Sequence, residues 1–573
     1  MLESLSQYSA AQSTSVLRHT YPATINRQHV YLPAELGRRI TERLQAMRAQ
    51  RWVSRLWAGD AKLWTDTDES HWMGWVDPSR QESVIRRYLG QCAWLRDNGC
   101  VNAILMGMGG AALGAHVLQN ALGSAAGGLR LHVLDSTDPD QVAALQRRVA
   151  PENCLHIVAS KSGTTMESTL LAQHFYKIAR DRIGAHAGRH FCAITDPGSP
   201  LQALAEQQGY AAIFTGDRTV GGRYSVLSPF GLVPLVLMGH DPIDFLRHAK
   251  LLRNHCGPRV PLNNNPAALL GATLGEAALA HRDKVTIWAE PELEGLGEWI
   301  EQLLAESTGK FGGGLIPVNQ EPIGQADRYS SDRLFVILRH GSTMERQRDA
   351  LRAAGQAVID VEIGEGAALA QEFYRWQFAT ALAGSILQVN PFDQPDVEAS
   401  KSRTRQLLGA PVTPANGQRY GSLIVDTGDK QDLGEWLQTQ AARYFALLAY
   451  VPCNSRNRAW LSYWQGRLRD LFGTAATAGF GPRYLHASGQ LHKGGPAGGA
   501  YLFIGRQACN ANELGRCQAA QAQADLAELR ARGRRCAAVW FAGDAVQGMR
   551  DLGALLEQAL GVTSPSAADA ARA

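Results

Sequence analysis

No run of about 18 uninterrupted apolar residues occurs in the 573-residue chain, so no membrane span is expected. Its nine cysteines stand singly, without a Cys-x-x-Cys pair, and its sixteen histidines form no His-Glu-x-x-His or His-x-His cluster. Disulfide staples and a metal centre are therefore not expected. Thiols inside apolar runs, such as Cys192 in HFCAIT and Cys536 in RRCAAVWF, read as reduced core residues. Charge of one sign is not in excess: 57 Lys and Arg balance 53 Asp and Glu, which argues against a nucleic-acid partner. The opening MLESLSQYSAAQSTS lacks a charged-then-apolar signal, and SPSAADAARA carries no anchor pattern, so the expected location is cytoplasmic.

What is present is length and alternation. A chain of this size suggests about three or four domains. Residues 1–75 contain the helix-periodic LPAELGRRITERLQAMRAQRWVSRLW and are expected to form a helical lead-in. In 76–240, VNAILMGMGG, LRLHVLDST, NCLHIVASKSG, RHFCAITDPG and YAAIFTG each read as a buried strand ending in a Gly, Ser, Thr or Asp turn, with helices such as TLLAQHFYKIARDR between them. The pattern recurs in 241–410 with KVTIWAE, RLFVILR and QAVIDVEI, and helices GEWIEQLLAES and EFYRWQFATALAGSIL. After the break LLGAPVTPANGQRYGS, residues 411–573 hold a third set, YFALLAYV, GAYLFIG and CAAVWFAG. Strand–helix alternation of this kind predicts an α/β protein of parallel sheets flanked by helices.

Ligands of such sheets bind beyond the carboxyl ends of the strands. Ser160-Lys161-Ser162-Gly163-Thr164-Thr165 lies there, after CLHIVA and before a helix starting near Glu167. An ordinary helix cap needs one hydroxyl. Several hydroxyls with a glycine and exposed amides make an anion cradle, favoured by the helix dipole. Gly107-Met108-Gly109-Gly110, after the first strand, permits close backbone approach but lacks the dinucleotide spacing Gly-x-Gly-x-x-Gly. No lysine follows it in Walker order, so a small phosphorylated metabolite fits better than a nucleoside triphosphate.

These residues resemble a known family. SKSGTTMEST is similar to the sugar-isomerase signature of glucose-6-phosphate isomerases, VGGRYSVLSPFGL (220–232) to their Val-Gly-Gly-Arg segment, and NPFDQPDVEASK (390–401) to their closing motif. LLAESTGK resembles a segment of the compact bacterial enzymes. GPRYLHASGQLHKGGP resembles the isomerase half of bacterial transaldolase/glucose-6-phosphate isomerase fusions, although no transaldolase portion is present. The resemblance implies two sugar-isomerase domains, to which the strand pattern of 411–573 adds a C-terminal α/β unit. It also implies aldose–ketose exchange between glucose 6-phosphate and fructose 6-phosphate without a cofactor. The active site usually forms at a dimer interface, which implies a homodimer, and a separate transaldolase is an open partner.

That reaction needs a carboxylate to move a proton between neighbouring carbons and a fixed cation for the enediolate. The resemblance assigns the cation to Arg223 and places Lys401 at ring opening, with Gly222 and Gln394 against the substrate. Phosphate falls to Gly109, Gly110, Ser160, Lys161, Ser162, Thr164 and Thr165, with Glu167 beside them. Two glutamates match as base: Glu306 in AESTGK, the compact form, and Glu321 in QEPIG, the longer form. The ring-opening histidine is displaced along the chain, to His486 in LHASGQ, with His492 and Lys493 close behind. Gly109-Gly110 is followed by Ala111 where the family usually has serine, so weaker phosphate affinity is expected. Two other readings stay open, a phosphosugar isomerase that also takes mannose 6-phosphate and a non-catalytic sugar-phosphate sensor.

Overall fold

The computed structural model describes residues 14–17, 22, 24–409, 416–428, 431–438, 442–507, 512–541 and 543–562. The closing SPSAADAARA and most of the opening MLESLSQYSAAQSTS lie outside the described residues. The chain divides into two compact units. The first comprises Met1–Asp135, Val149–Gln394 and His486–Gly495; the second comprises Ser136–Arg148, Pro395–Leu485 and Pro496–Ala573.

The first unit holds two sheets. All five strands anticipated between residues 76 and 240 form a parallel sheet, ordered Arg130–Leu134, Asn102–Gly107, Cys154–Ala159, Phe191–Thr195, Ala212–Thr215. Cys154–Ala159 and Phe191–Thr195 are buried at every position, as parallel strands covered on both faces must be. The strand order reverses direction between Asn102–Gly107 and Cys154–Ala159, so the turns after these two strands meet at the switch point of the sheet. The second sheet runs Arg27–Pro33, Ala357–Glu362, Arg333–Arg339, Lys284–Ala289, Ile316–Asn319, with Thr14–Leu17 outermost.

This changes the reading of the N-terminal segment. Helices Ala34–Ala49 and Trp52–Trp57 do form there, but Arg27–Pro33 is a strand that pairs antiparallel with Ala357–Glu362. The lead-in therefore extends the second sheet. Helix Leu369–Leu387 is buried along almost its whole length, its buried charges Glu372 and Arg375 paired with each other at 3.0 Å. It packs on Pro266–Leu279, where a Cβ at Gly275 would stand 2.7 Å from Ile386 Cβ, so only glycine allows the approach.

The second unit is built on one sheet, ordered Gln418–Tyr420, Leu423–Asp426, Arg535–Phe541, Gly499–Arg506, Tyr444–Tyr450, Ala475–Phe480. The last four strands are parallel. Its own core is formed by residues such as Trp464, Leu502, Val539 and Leu552. Two differences from the sequence reading concern boundaries. The segment from Pro395 onward belongs to this unit, and so does the short stretch Ser136–Arg148. Cys453 N donates to Gln141 Oε1 at 3.0 Å, and Gln518 Nε2 to Asp138 Oδ2 at 3.2 Å, which holds that stretch in place. No described helix is long and apolar enough to cross a membrane.

Candidate active site

Both turns at the switch point are shaped for close approach. Gly109 has φ +54°, and a Cβ there would lie 2.8 Å from Gln302 Nε2 and from the His486 carbonyl oxygen. A Cβ on Gly110 would overlap the Gly222 carbonyl and meet the Arg223 amide at 2.7 Å. Three segments far apart in sequence, at Gln302, His486 and Gly222–Arg223, thus converge on two glycines.

The hydroxyls of the Ser160–Thr165 turn are organised among themselves. Ser160 Oγ lies 2.9 Å from Thr165 Oγ1, and Ser162 Oγ 2.8 Å from Thr164 Oγ1. Gly163, at φ +70°, donates its amide to Ser160 Oγ at 3.1 Å. Helix Met166–Ile183 begins at this point, and Thr165 at its start makes no side-chain cap bond. Lys161 is engaged elsewhere. Its ammonium bonds Asp196 Oδ2 at 2.6 Å and the Asp217 carbonyl at 2.8 Å. Burial pushes the Asp196 carboxyl up, with the Lys161 charge opposing it. Ala111 follows Gly110 in the first turn of helix Gly110–Leu122, which also lacks a side-chain cap.

Arg223 is buried and every nitrogen of its guanidinium is occupied. Nε donates to Ser307 Oγ at 2.8 Å, and Nη2 to the carbonyls of Pro391 and Asp393, each at 2.8 Å. Nη1 donates to Gln394 Oε1 at 2.9 Å and stands 3.4 Å from Glu306 Oε1. Glu306 lies near the end of helix Glu294–Thr308, one turn after Gln302. Gln302 Nε2 bridges Glu306 Oε2 at 3.0 Å and the His486 carbonyl at 2.7 Å. No motif singles out Gln302. The signal that points to it is its i, i+4 spacing to Glu306 on one helix face.

His486 belongs to the first unit although its neighbours before it in sequence do not. Its Nε2 lies 2.7 Å from Glu167 Oε1, a carboxylate buried in the first turn of helix Met166–Ile183. An ionised carboxylate can only accept, so with Glu167 ionised it is Nε2 that donates in this pair. Helix Gly489–Gly494 continues the segment, with Gln490 Nε2 donating to the Gly309 carbonyl at 3.1 Å. His492 and Lys493 are buried on it.

Glu321 and Lys401, also assigned from sequence, have other partners. Glu321 is fully buried in an ion pair with Arg333 at 3.0 Å, and Arg333 in turn donates to Thr286 Oγ1 at 2.7 Å. Its environment is the second sheet of the unit. Lys401 belongs to the second unit, on helix Glu398–Leu408, where it is 46% exposed and 3.5 Å from Glu398. Gly222, by contrast, sits beside Gly110, and a Cβ there would meet open space. Among the described residues no group of His, Cys, Asp and Glu is arranged to hold a metal ion.

Comparison with known proteins gives consistent matches. Residues 91–315 match the phosphoglucose isomerase family. A glucose-6-phosphate isomerase of Thermus thermophilus is 30% identical over 391 residues, covering 59% of this chain and 90% of the relative. One from Parabacteroides distasonis is 30% identical over 392 residues, covering 59% and 87%. Among solved structures, a hypothetical protein from Thermus thermophilus superimposes with a TM-score of 0.57 at 25% identity, covering 66% of this chain and 100% of that one. A glucose-6-phosphate isomerase from Chlamydia trachomatis gives 0.52 at 18% identity, covering 64% and 85%, a likeness of fold.

Proposed function

This chain belongs to the phosphoglucose isomerase family, and we propose that it interconverts glucose 6-phosphate and fructose 6-phosphate through an enediol, with Glu306 as the base. The observation that carries this reading is the meeting of a carboxylate and a buried guanidinium, Glu306 and Arg223, 3.4 Å apart and bridged through Gln302 to the His486 segment.

The phosphate sits against the amides at the start of helix Met166–Ile183 and the hydroxyls of Ser160, Ser162, Thr164 and Thr165. Gly109 and Gly110 let the backbone close on it. Lys161 acts by tying the turn to Asp196. His486, oriented by Glu167, exchanges a proton with the ring oxygen and opens the sugar. Glu306 then removes the proton from C2 of the open aldose and returns it to C1 of the enediol, and the reverse reaction uses the same group. Arg223 and Gln394 face the oxygens on which negative charge develops. Glu321 serves the fold through Arg333.

A coupled assay of fructose 6-phosphate conversion tests this. The wild type should turn over, and Glu306→Gln should lose about 10²–10⁴-fold in kcat. His486→Ala should be slowed on cyclic substrate, whereas Glu321→Gln should keep its turnover per folded molecule. A wild type that binds fructose 6-phosphate but never converts it would replace this reading with a sugar-phosphate sensor.

A further inference from the structure

Two buried cations grip one turn beside Glu306. Lys310 follows the helix that carries Glu306, and its side chain has no exposed surface. Its ammonium donates to the Asn390 carbonyl and to Asp393 Oδ1 at 2.6 Å. On the same turn, Arg223 Nη2 holds the Pro391 and Asp393 carbonyls while Nη1 holds Gln394. Asn390 Nδ2 also donates to Asp68 Oδ1 at 2.8 Å. The Phe392 ring lies against Tyr224 and Trp64, at centroid separations of 5.2 and 5.4 Å. The turn is therefore fixed from several sides, and Lys310 joins it to the end of the helix of the base, as Arg223 does through Ser307.

We propose that Lys310 is a positioning residue of the isomerase reaction, which sets how Arg223 and Gln394 face Glu306 by anchoring the Asn390–Gln394 turn. The inference rests on Glu306 being the base and Arg223 its cationic partner. Its electrostatics set Lys310 apart from a residue kept for stability. Burial, and then the Arg223 charge, push its amine down to about 8, with Asp393 opposing them in part. An ammonium held under those conditions works against folding, and an apolar side chain of similar length would fill the space without that penalty. Stability alone therefore does not call for lysine at this position.

The test uses the full chain and four variants: Lys310→Met, Asp393→Asn, their double mutant, and Glu306→Gln in parallel. Asp393 is 38% exposed, so after Lys310→Met it can turn to water and the fold is retained. The expected result is a melting temperature no lower than wild type, with kcat per folded enzyme reduced about 10- to 100-fold and KM for fructose 6-phosphate much less affected. The double mutant should fall no further than Lys310→Met, because both changes break one grip. If Lys310→Met does not fold, Asp393→Asn carries the same expectation for kcat. Wild-type kcat in Lys310→Met, or losses that multiply in the double mutant, would overturn the inference while leaving Glu306 as base. An inactive wild type would instead remove the reading on which the inference stands.

Discussion

Replacing Gly110 with alanine puts one methyl group against the Gly222–Arg223 backbone. The added Cβ would overlap the Gly222 carbonyl and stand 2.7 Å from the Arg223 amide. Ordinary contact between such atoms needs about 3.5 Å, so the Gly222 carbonyl, the nearest group, must retreat by more than an ångström. Neither side yields easily, because Gly110 opens helix Gly110–Leu122 and Arg223 is tied to Ser307, Pro391, Asp393 and Gln394. Overpacking of this kind costs about 1–3 kcal/mol of stability. A displacement of that size at a catalytic cation costs on the order of 10²-fold in rate, equivalent to about 2.7 kcal/mol of barrier. Thermal melting and the coupled isomerase assay read the two effects separately. Gly222→Ala is the control, since its Cβ would enter open space and its backbone is not left-handed. It should melt like wild type, and any rise in its KM reports sugar occupying that space. Wild-type melting and wild-type kcat in Gly110→Ala would refute the close approach on which the geometry depends.

Two further predictions concern buried charges. Glu321→Gln leaves Arg333 without its full partner in an interior where both side chains are almost completely buried, and it should cost about 3–5 kcal/mol of stability while sparing turnover per folded molecule. His156 is buried against Phe191, with ring centroids 4.4 Å apart, and burial pushes its imidazole from 6.5 down to about 4, only partly opposed by the His190 carbonyl. Between those values the unfolded chain binds a proton that the folded chain does not. Its contribution to stability is therefore intact above pH 6.5, lost as pH falls toward 4 and levels off below, a total of about 3 kcal/mol. His156→Phe should flatten that part of the acid melting profile, and an unchanged profile would remove His156 as its source.

The first sheet is legible in full because each of its strands is a short, largely apolar run ending in a turn signal, the pattern that burial on both faces imposes. Arg27–Pro33 escapes that pattern because a strand with Arg27 exposed and His29 half-buried lacks such a run. Ala475–Phe480 escapes it because AATAGF is too rich in small residues to stand out. At the site, the motifs identify Arg223 and both glutamates, but spacing cannot tell a strand-facing ion pair from a carboxylate beside Arg223. What separates Glu321 from Glu306 is the partner each meets, Arg333 in one case and Arg223 in the other. His486 is identified from LHASGQ, whereas its pairing with Glu167 spans 319 residues and no local pattern encodes it.

The most direct measurement follows deuterium. Fructose 6-phosphate is incubated with enzyme in D₂O, and the glucose 6-phosphate formed is examined by NMR at C2. The expected result is deuterium at C2 with wild type and with Glu321→Gln, and none above background with Glu306→Gln. Exchange at the wild-type rate in folded Glu306→Gln would contradict the assignment of the base.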